Sequence, residues 1–235
     1  MDASVVKNAR ARQPLKAAKA VRKAAQDRGK ANGNISFIYG EKVRKELVVT
    51  SDIELANLLD LEADQTVVRY DIDPERIIAD IGGELFSTKP DAVVHYRDFR
   101  REIREVKYSD EIGTDARAIA QQKVLEARRE KAGISWRFFT DEDAFAKRLV
   151  LLNWLDVEAV LREARAVPTV ELEKRVAAAV YDAGKTSLAG IHDALHLEWR
   201  LVFAAIFRAH QKGTITVNLS RKLSWATAVT PCDLA

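Results

Sequence analysis

KPDAVVHYRDFRREIREVK, residues 89–107, is the stretch on which the reading of this chain turns. Two short segments with alternating apolar residues flank a polar turn at Arg97, Asp98 and Phe99, which is the pattern of a β-hairpin. A turn symmetric about Asp98 sets Asp91 opposite Glu105, and the two-residue period of a strand then puts Asp91, Glu105 and Lys107 on one face and Val106 on the other. Slipping the pairing by one residue would separate the two acids onto opposite faces. Directly opposed carboxylates repel, so with no other role they weaken the strand pair. A hard divalent cation removes that repulsion, and Mg²⁺ is held by one or two carboxylates plus water and phosphate oxygens. The competing reading is a charged, solvated outer face, since FRREIRE makes the whole turn highly charged.

Upstream, ISFIYGEKVRKELVV alternates on both sides of a turn-like YGEK and predicts another hairpin. A helix follows, capped by Thr50, Ser51 or Asp52, with Ile53, Leu55, Ala56, Leu58 and Leu59 on its buried side. TVVRYDI and ERIIADI read as strands, and Gly82-Gly83 as the turn that leads into ELFSTKPDAVVHY. Downstream, TDARAIAQQKVLEARREK (114–131) is an amphipathic helix capped by Thr114 or Asp115 and stopped by Gly133, and ISWRFFT is a strand. A helix between two strands implies a crossover, so the last strand is expected parallel to a neighbour in a mixed α/β sheet. A helical segment from about 142 to 165 closes this part.

Pro168 marks the expected domain boundary. VELEKRVAAAVYDAG, SLAGIHDALH and EWRLVFAAIFRAHQKG read as three helices, the last with Trp199, Val202, Phe203, Ile206 and Phe207 on a core face. TITVNLSRKLSWATAVT supplies two closing strands, which gives the element order of a winged helix-turn-helix.

The formal net charge of +3 hides an asymmetry. Residues 1–34 hold nine Lys or Arg against two Asp; residues 35–166 hold 21 against 27 acids, and 167–235 hold eight against six. A basic, Ala-rich arm of this kind cannot bury enough apolar surface to fold alone, but its cations, among them Lys16, Lys19, Arg22 and Lys23, suit phosphates. Acidic protein surfaces attract the same charge. No apolar run of membrane-spanning length or signal-peptide core occurs, so a cytoplasmic protein without membrane contact is expected. Cys232 is the only cysteine, which excludes a disulfide framework or cysteine-based zinc site within one chain.

Pro90-Asp91 and Glu105-Val106-Lys107 match the PD-(D/E)xK nuclease signature. The order SDIELANLLDLEADQTVVRYDIDP, a strand pair, then KPDAVVHY and REVK resembles more specifically the TnsA-like endonuclease subunit of heteromeric transposases. That family has a helical Glu upstream, then an acidic segment, a strand and a Pro, and Glu54 and Pro74 occupy those places. The resemblance spans about residues 36–165; it departs at Asp73-Pro74, where Gln-Pro is usual, and at Ala92, where an aromatic is usual.

The resemblance implies an α/β, restriction-endonuclease-like mixed sheet flanked by helices over 35–166, a winged-helix-like domain over 167–235, and a flexible basic arm over 1–34. It implies that Glu54, Asp91, Glu105 and the Val106 carbonyl hold Mg²⁺, with Mn²⁺ as a substitute, and that Lys107 assists water attack on phosphorus. The implied partners are DNA, a DDE-type transposase subunit and an AAA+ ATPase regulator, in a DNA-associated protein of bacterial or phage type. Two rivals stay open: a stand-alone PD-(D/E)xK nuclease of restriction or repair, and a DNA-binding adaptor with a decayed site.

Several other residues carry weaker signals. Gln121 and Lys123 are expected on a helix surface, with phosphate contact as an auxiliary reading, and His95 lies on the Asp91 face near phosphate. Arg200, Arg208 and Lys212 share a helix stripe, and Arg221 and Lys222 sit in the wing, where DNA phosphates or a protein partner would meet them. DAGKTS (182–187) imitates a P-loop but reads as one helix end followed by the next helix start. His192 and His196 have metal-ligand spacing but no third ligand.

Overall fold

The computed structural model describes residues 34–132 and 134–232. The arm with Lys16, Lys19, Arg22 and Lys23, and the stop at Gly133, lie outside the described residues.

The first hairpin pairs β1 (Ser36–Gly40) with β2 (Lys45–Val49). Helix α1 (Asp52–Ala63) starts at Ser51, whose hydroxyl accepts from the Glu54 N–H at 3.2 Å and satisfies one of the otherwise orphaned donors of the first turn. Strand β3 (Val67–Asp71) follows, then a separate hairpin of β4 (Ile77–Ile81) and β5 (Glu84–Thr88). Gly82 and Gly83 close that hairpin with φ of 67° and 89°, which is why two glycines stand there.

The opening stretch forms β6 (Ala92–Tyr96) and β7 (Arg101–Val106). Ala92 pairs with Arg104 and His95 with Arg101, so the hairpin is symmetric about Asp98 as the alternation predicts. Helix α2 (Ala116–Ala132) then crosses over to β8 (Ser135–Phe139), which runs parallel to β7. The result is a mixed four-stranded sheet in the order β3-β6-β7-β8, with helices on both sides. Its even-numbered β7 residues face α1: Arg104 reaches Asn57 and Asp60, and Val106 packs with Ile53 and Phe139. The odd-numbered residues face α2, where Glu105 meets Gln121.

The expected helix of 142–165 breaks at Lys147 into α3 (Asp141–Ala146) and α4 (Arg148–Glu163). Thr140 and Asp143 make a reciprocal capping box at the start of α3, and Lys147 leaves helical geometry at φ −101° and ψ 11°.

The C-terminal part runs α5 (Val170–Ala183), β9 (Thr186–Ser187), α6 (Leu188–Leu195), α7 (Trp199–Gln211), β10 (Ile215–Val217) and β11 (Ala228–Pro231). The three strands form an antiparallel sheet in the order β10-β11-β9. In DAGKTS, Gly184 ends α5 at φ 65° and the Ser187 hydroxyl caps α6 through the Gly190 N–H, as read from the sequence. The hydrophobic core continues across Pro168: one cluster joins Ile38 and Val67 to Trp154, Phe207 and Val229. Helix α7 lies inside this junction, with every residue from Ala204 to Gln211 buried. Among the described residues, no helix is long and apolar enough to cross a membrane.

Candidate metal and nucleic-acid site

The ladder ends at Ala92 and Arg104, and the same symmetric register extended by one residue sets Asp91 opposite Glu105. The Asp91 carboxylate accepts from the Val106 N–H at 2.7 Å, at the point where Pro90 ends the ladder of β6. It therefore completes the strand pairing as well as standing beside Glu105. Glu105 is 0% exposed, and its Oε2 accepts from the Gln121 amide at 3.2 Å. The same amide nitrogen donates to the Thr88 hydroxyl at 3.2 Å. Gln121 is thus no surface residue: α2 presses it onto the sheet, and its Oε1 is buried without a hydrogen-bond partner among the described residues. A buried amide oxygen in that state costs free energy unless something accepts its lone pairs, and a cation does so. Lys107, half-buried, continues the Glu105 face one strand period on, and its N–H donates to Phe139 of β8. Lys123 is exposed on α2.

The structure does not bring Glu54 into this group. Its Oε2 accepts from the Thr50 N–H at 2.7 Å and the Thr50 hydroxyl at 3.2 Å, so the carboxylate folds back over the start of α1. Among the described residues, no group of three or more His, Cys, Asp or Glu is close enough to hold a metal ion. The oxygen donors gathered here are the Asp91 and Glu105 carboxylates and the Gln121 amide, beside the Val106 main chain. Mg²⁺ commonly takes no more than two carboxylates from a protein, so this donor set fits it.

Glu62, near the end of α1, points toward β3 and is buried. It accepts from the Tyr70 hydroxyl, the Gln211 amide and the Lys42 main chain. Burial is the largest influence on its carboxyl and holds it above the ordinary range, against the Lys42 charge that lowers it. Burial likewise pulls the Lys42 ammonium down to about 8. This cluster ties α1, β3 and α7 together and lies apart from Asp91.

On the opposite side of the sheet, Arg104 is 2% exposed and donates to Asp60, Glu102, Asn57 and the Tyr96 hydroxyl. Lys147 adds a second cation on Asp60 at 2.6 Å. This network fixes α1 to β6 and β7, and so fixes the strand pair that carries the two acids.

Of the expected DNA-contacting cations in the C-terminal part, Arg208 is 6% exposed and committed to the fold. It pairs with Glu41 and donates to Ala164, Val167 and Thr169. Lys212 pairs with Glu173, and Arg200 lies near Glu163 and Glu198 while covering the Trp199 ring. Arg221 and Lys222 are exposed in the loop between β10 and β11. His196 ends α6 in a left-handed conformation and the His192 ring packs near Trp225.

Sequence reading missed a row of cations on the acid face. Arg69 of β3 pairs with His95 of β6, and His95 with Arg101 of β7, so three basic side chains stand in register across three strands. Burial, then the Arg69 and Arg101 charges, hold the His95 pKa below its ordinary range, against the Asp71 charge that raises it. The row lines a groove of about 900 Å³ that also borders Lys45 and Arg76. No protein-family model matches the chain, and no curated protein matches it in sequence.

Proposed function

We propose that this chain is a metal-dependent DNA endonuclease, the TnsA-like subunit of a heteromeric transposase. The observation that carries the reading is the Asp91 carboxylate held on the Val106 N–H at 2.7 Å, in the register that places it beside Glu105 and continues to Lys107. The antiparallel β3-β6-β7 set with β8 added in parallel after a crossover helix supports a restriction-endonuclease-like core. The order α5, β9, α6, α7, β10, β11 supports a winged-helix-like C-terminal part, though one whose third helix is enclosed by the rest of the chain.

In this reading Asp91, Glu105, the Gln121 oxygen and the Val106 carbonyl would hold Mg²⁺ or Mn²⁺, which would supply charge neutralisation at the phosphoryl oxygens and acidify bound water. Asp91 and Glu105 orient the site through their fixed hydrogen bonds to Val106 and Gln121. Lys107 steers the attacking water or counters charge gathering on phosphorus. Water adds to phosphorus, the bond to the 3′ oxygen breaks, and that oxygen takes a proton, leaving a 3′-hydroxyl and a 5′-phosphate. A DDE-type transposase then cuts the other strand under an AAA+ ATPase.

One observation favours the adaptor reading instead: Glu54, which the family resemblance makes a ligand, spends its carboxylate on Thr50. Calorimetric titration with Mn²⁺ separates the two. The nuclease reading expects binding by the native chain, at least tenfold weaker in Asp91→Asn and Glu105→Gln and unchanged in Glu54→Gln. Native protein without Mn²⁺ affinity, or Asp91→Asn that binds as well as native, would leave the adaptor. Strand nicking by the reconstituted subunits, lost in Lys107→Ala, then tests the chemistry.

A further inference from the structure

Arg69 and Arg101 flank His95 in directly opposed positions across three strands, so two guanidiniums stand on either side of one imidazole and disfavour its protonation. Neighbouring arginines are neutralised: Arg100 pairs with Asp98, Arg104 with Asp60 and Glu102, and Arg137 with Glu102 and Asp143. By contrast, the side chains of Arg69, Arg76 and Arg101 make no ion pair or hydrogen bond among the described residues. Acids line the same groove: Asp73 is engaged by Lys89, Asp71 accepts from the Asp73 N–H, a bond that leaves its charge in place, and Glu75 is exposed there, against the cations Lys45, Arg69, Arg76 and Arg101. Arg69 and Arg101, with the His95 ring between them, stand over an apolar floor that includes Val93 and Ile103.

The row shares its face with the acid pair, because His95 stands four residues from Asp91 and Arg101 four from Glu105. Four residues of strand span roughly 13 Å, which is about four base steps along a duplex. We propose that this groove seats one DNA strand, with Arg69, His95 and Arg101 gripping backbone phosphate there while the strand runs on to Asp91 and Glu105. The position of the cut relative to the grip rests on the nuclease reading above; the grip itself does not.

The test is equilibrium binding of a fluorescent DNA duplex to the full chain in EDTA, by anisotropy, at several salt concentrations. Each phosphate contact contributes about 0.9 to the slope of log affinity against log salt. Arg69→Gln/Arg101→Gln should flatten the slope by about 1.8 and weaken binding at least tenfold at moderate salt. The double variant Lys174→Gln/Arg175→Gln, which removes the same charge from α5, should bind as the native chain does. Because Arg69 and Arg101 are exposed, the groove variant should melt no lower than native; Arg101→Gln alone should give half the slope change. An unchanged slope in the groove variants, or an equal loss in the α5 variant, overturns the proposal. So does competition at the groove by a free nucleotide with no effect on duplex binding. Groove-dependent binding without Mg²⁺-dependent nicking would remove the nuclease reading and leave the grip, whereas nicking that survives the groove variants intact would do the reverse.

Discussion

His210 offers a sharp test of how α7 is packed. It is 3% exposed, lies against the Trp154 and Phe207 rings, and its Nδ1 accepts from the Val217 N–H at 3.2 Å. Its Nε2 has no hydrogen-bond partner among the described residues. Burial, and then the Lys42 charge, hold its pKa at about 4 against an ordinary value of 6.5. The folded value is the lower one, so the unfolded chain takes the proton first as pH falls. The stability tied to neutral His210 is complete above about 6.5 and is lost progressively down to about 4. At about 1.36 kcal/mol per unit, the loss reaches roughly 2 kcal/mol by pH 5 and about 3 kcal/mol across the whole window. That is a large share of the roughly 5–15 kcal/mol that holds a domain folded. His210→Asn keeps an acceptor for the Val217 N–H but cannot titrate. Urea unfolding of both proteins at pH 7.5 and 5.0 should show the native chain losing about 2 kcal/mol more than the variant. Glu62 and Glu158, whose carboxyls are held high by burial, act in the opposite direction, but they do so in both proteins and cancel in the difference. Equal losses in the two proteins would mean that water reaches the ring, and the sealed junction around α7 would be wrong.

Other outcomes follow from single contacts. Arg104→Met leaves Asp60 to Lys147 and Glu102 to Arg137, and losing the buried charge-assisted bonds should cost about 1.5–3 kcal/mol in urea unfolding, with part of that recovered in Arg104→Met/Asp60→Leu. Phe99 is 95% exposed at φ 65°, a conformation that Asn tolerates and Phe does not, so Phe99→Asn should raise stability by roughly 0.5–1 kcal/mol. Gln121→Met keeps the volume of the side chain but removes its oxygen and its bond to Glu105, and should weaken Mn²⁺ binding about 10–100-fold while leaving the far-ultraviolet circular dichroism unchanged.

The hairpin was legible because its information is local: turn length and two-residue alternation fix which residues oppose, and Ala92 meets Arg104 as the symmetric turn requires. The parallel β8 was legible for a similar reason, since a helix between strands leaves few other routes. What escaped sequence reading depends on pairings that periodicity does not encode. Arg69 joins the cation row only because β3 pairs with β6 across a bulge between Val67 and Arg69, a shift that moves which residues oppose.

Helix α7 shows the same limit from the packing side. Its apolar stripe predicts one buried face, and Arg208 and Lys212 then fall where DNA would meet them. Yet Ala204, Ala205 and Ala209 let neighbours approach closely, and the partners that absorb its polar residues come from far along the chain: Glu41 for Arg208 and Glu62 for Gln211. A buried, paired guanidinium is costly to withdraw for a ligand, because doing so strands Glu41 as well. Cations free to meet phosphate are therefore better sought at Arg69 and Arg101, exposed in the groove over β3, β6 and β7, than on the helix whose position in the chain order resembles a recognition helix.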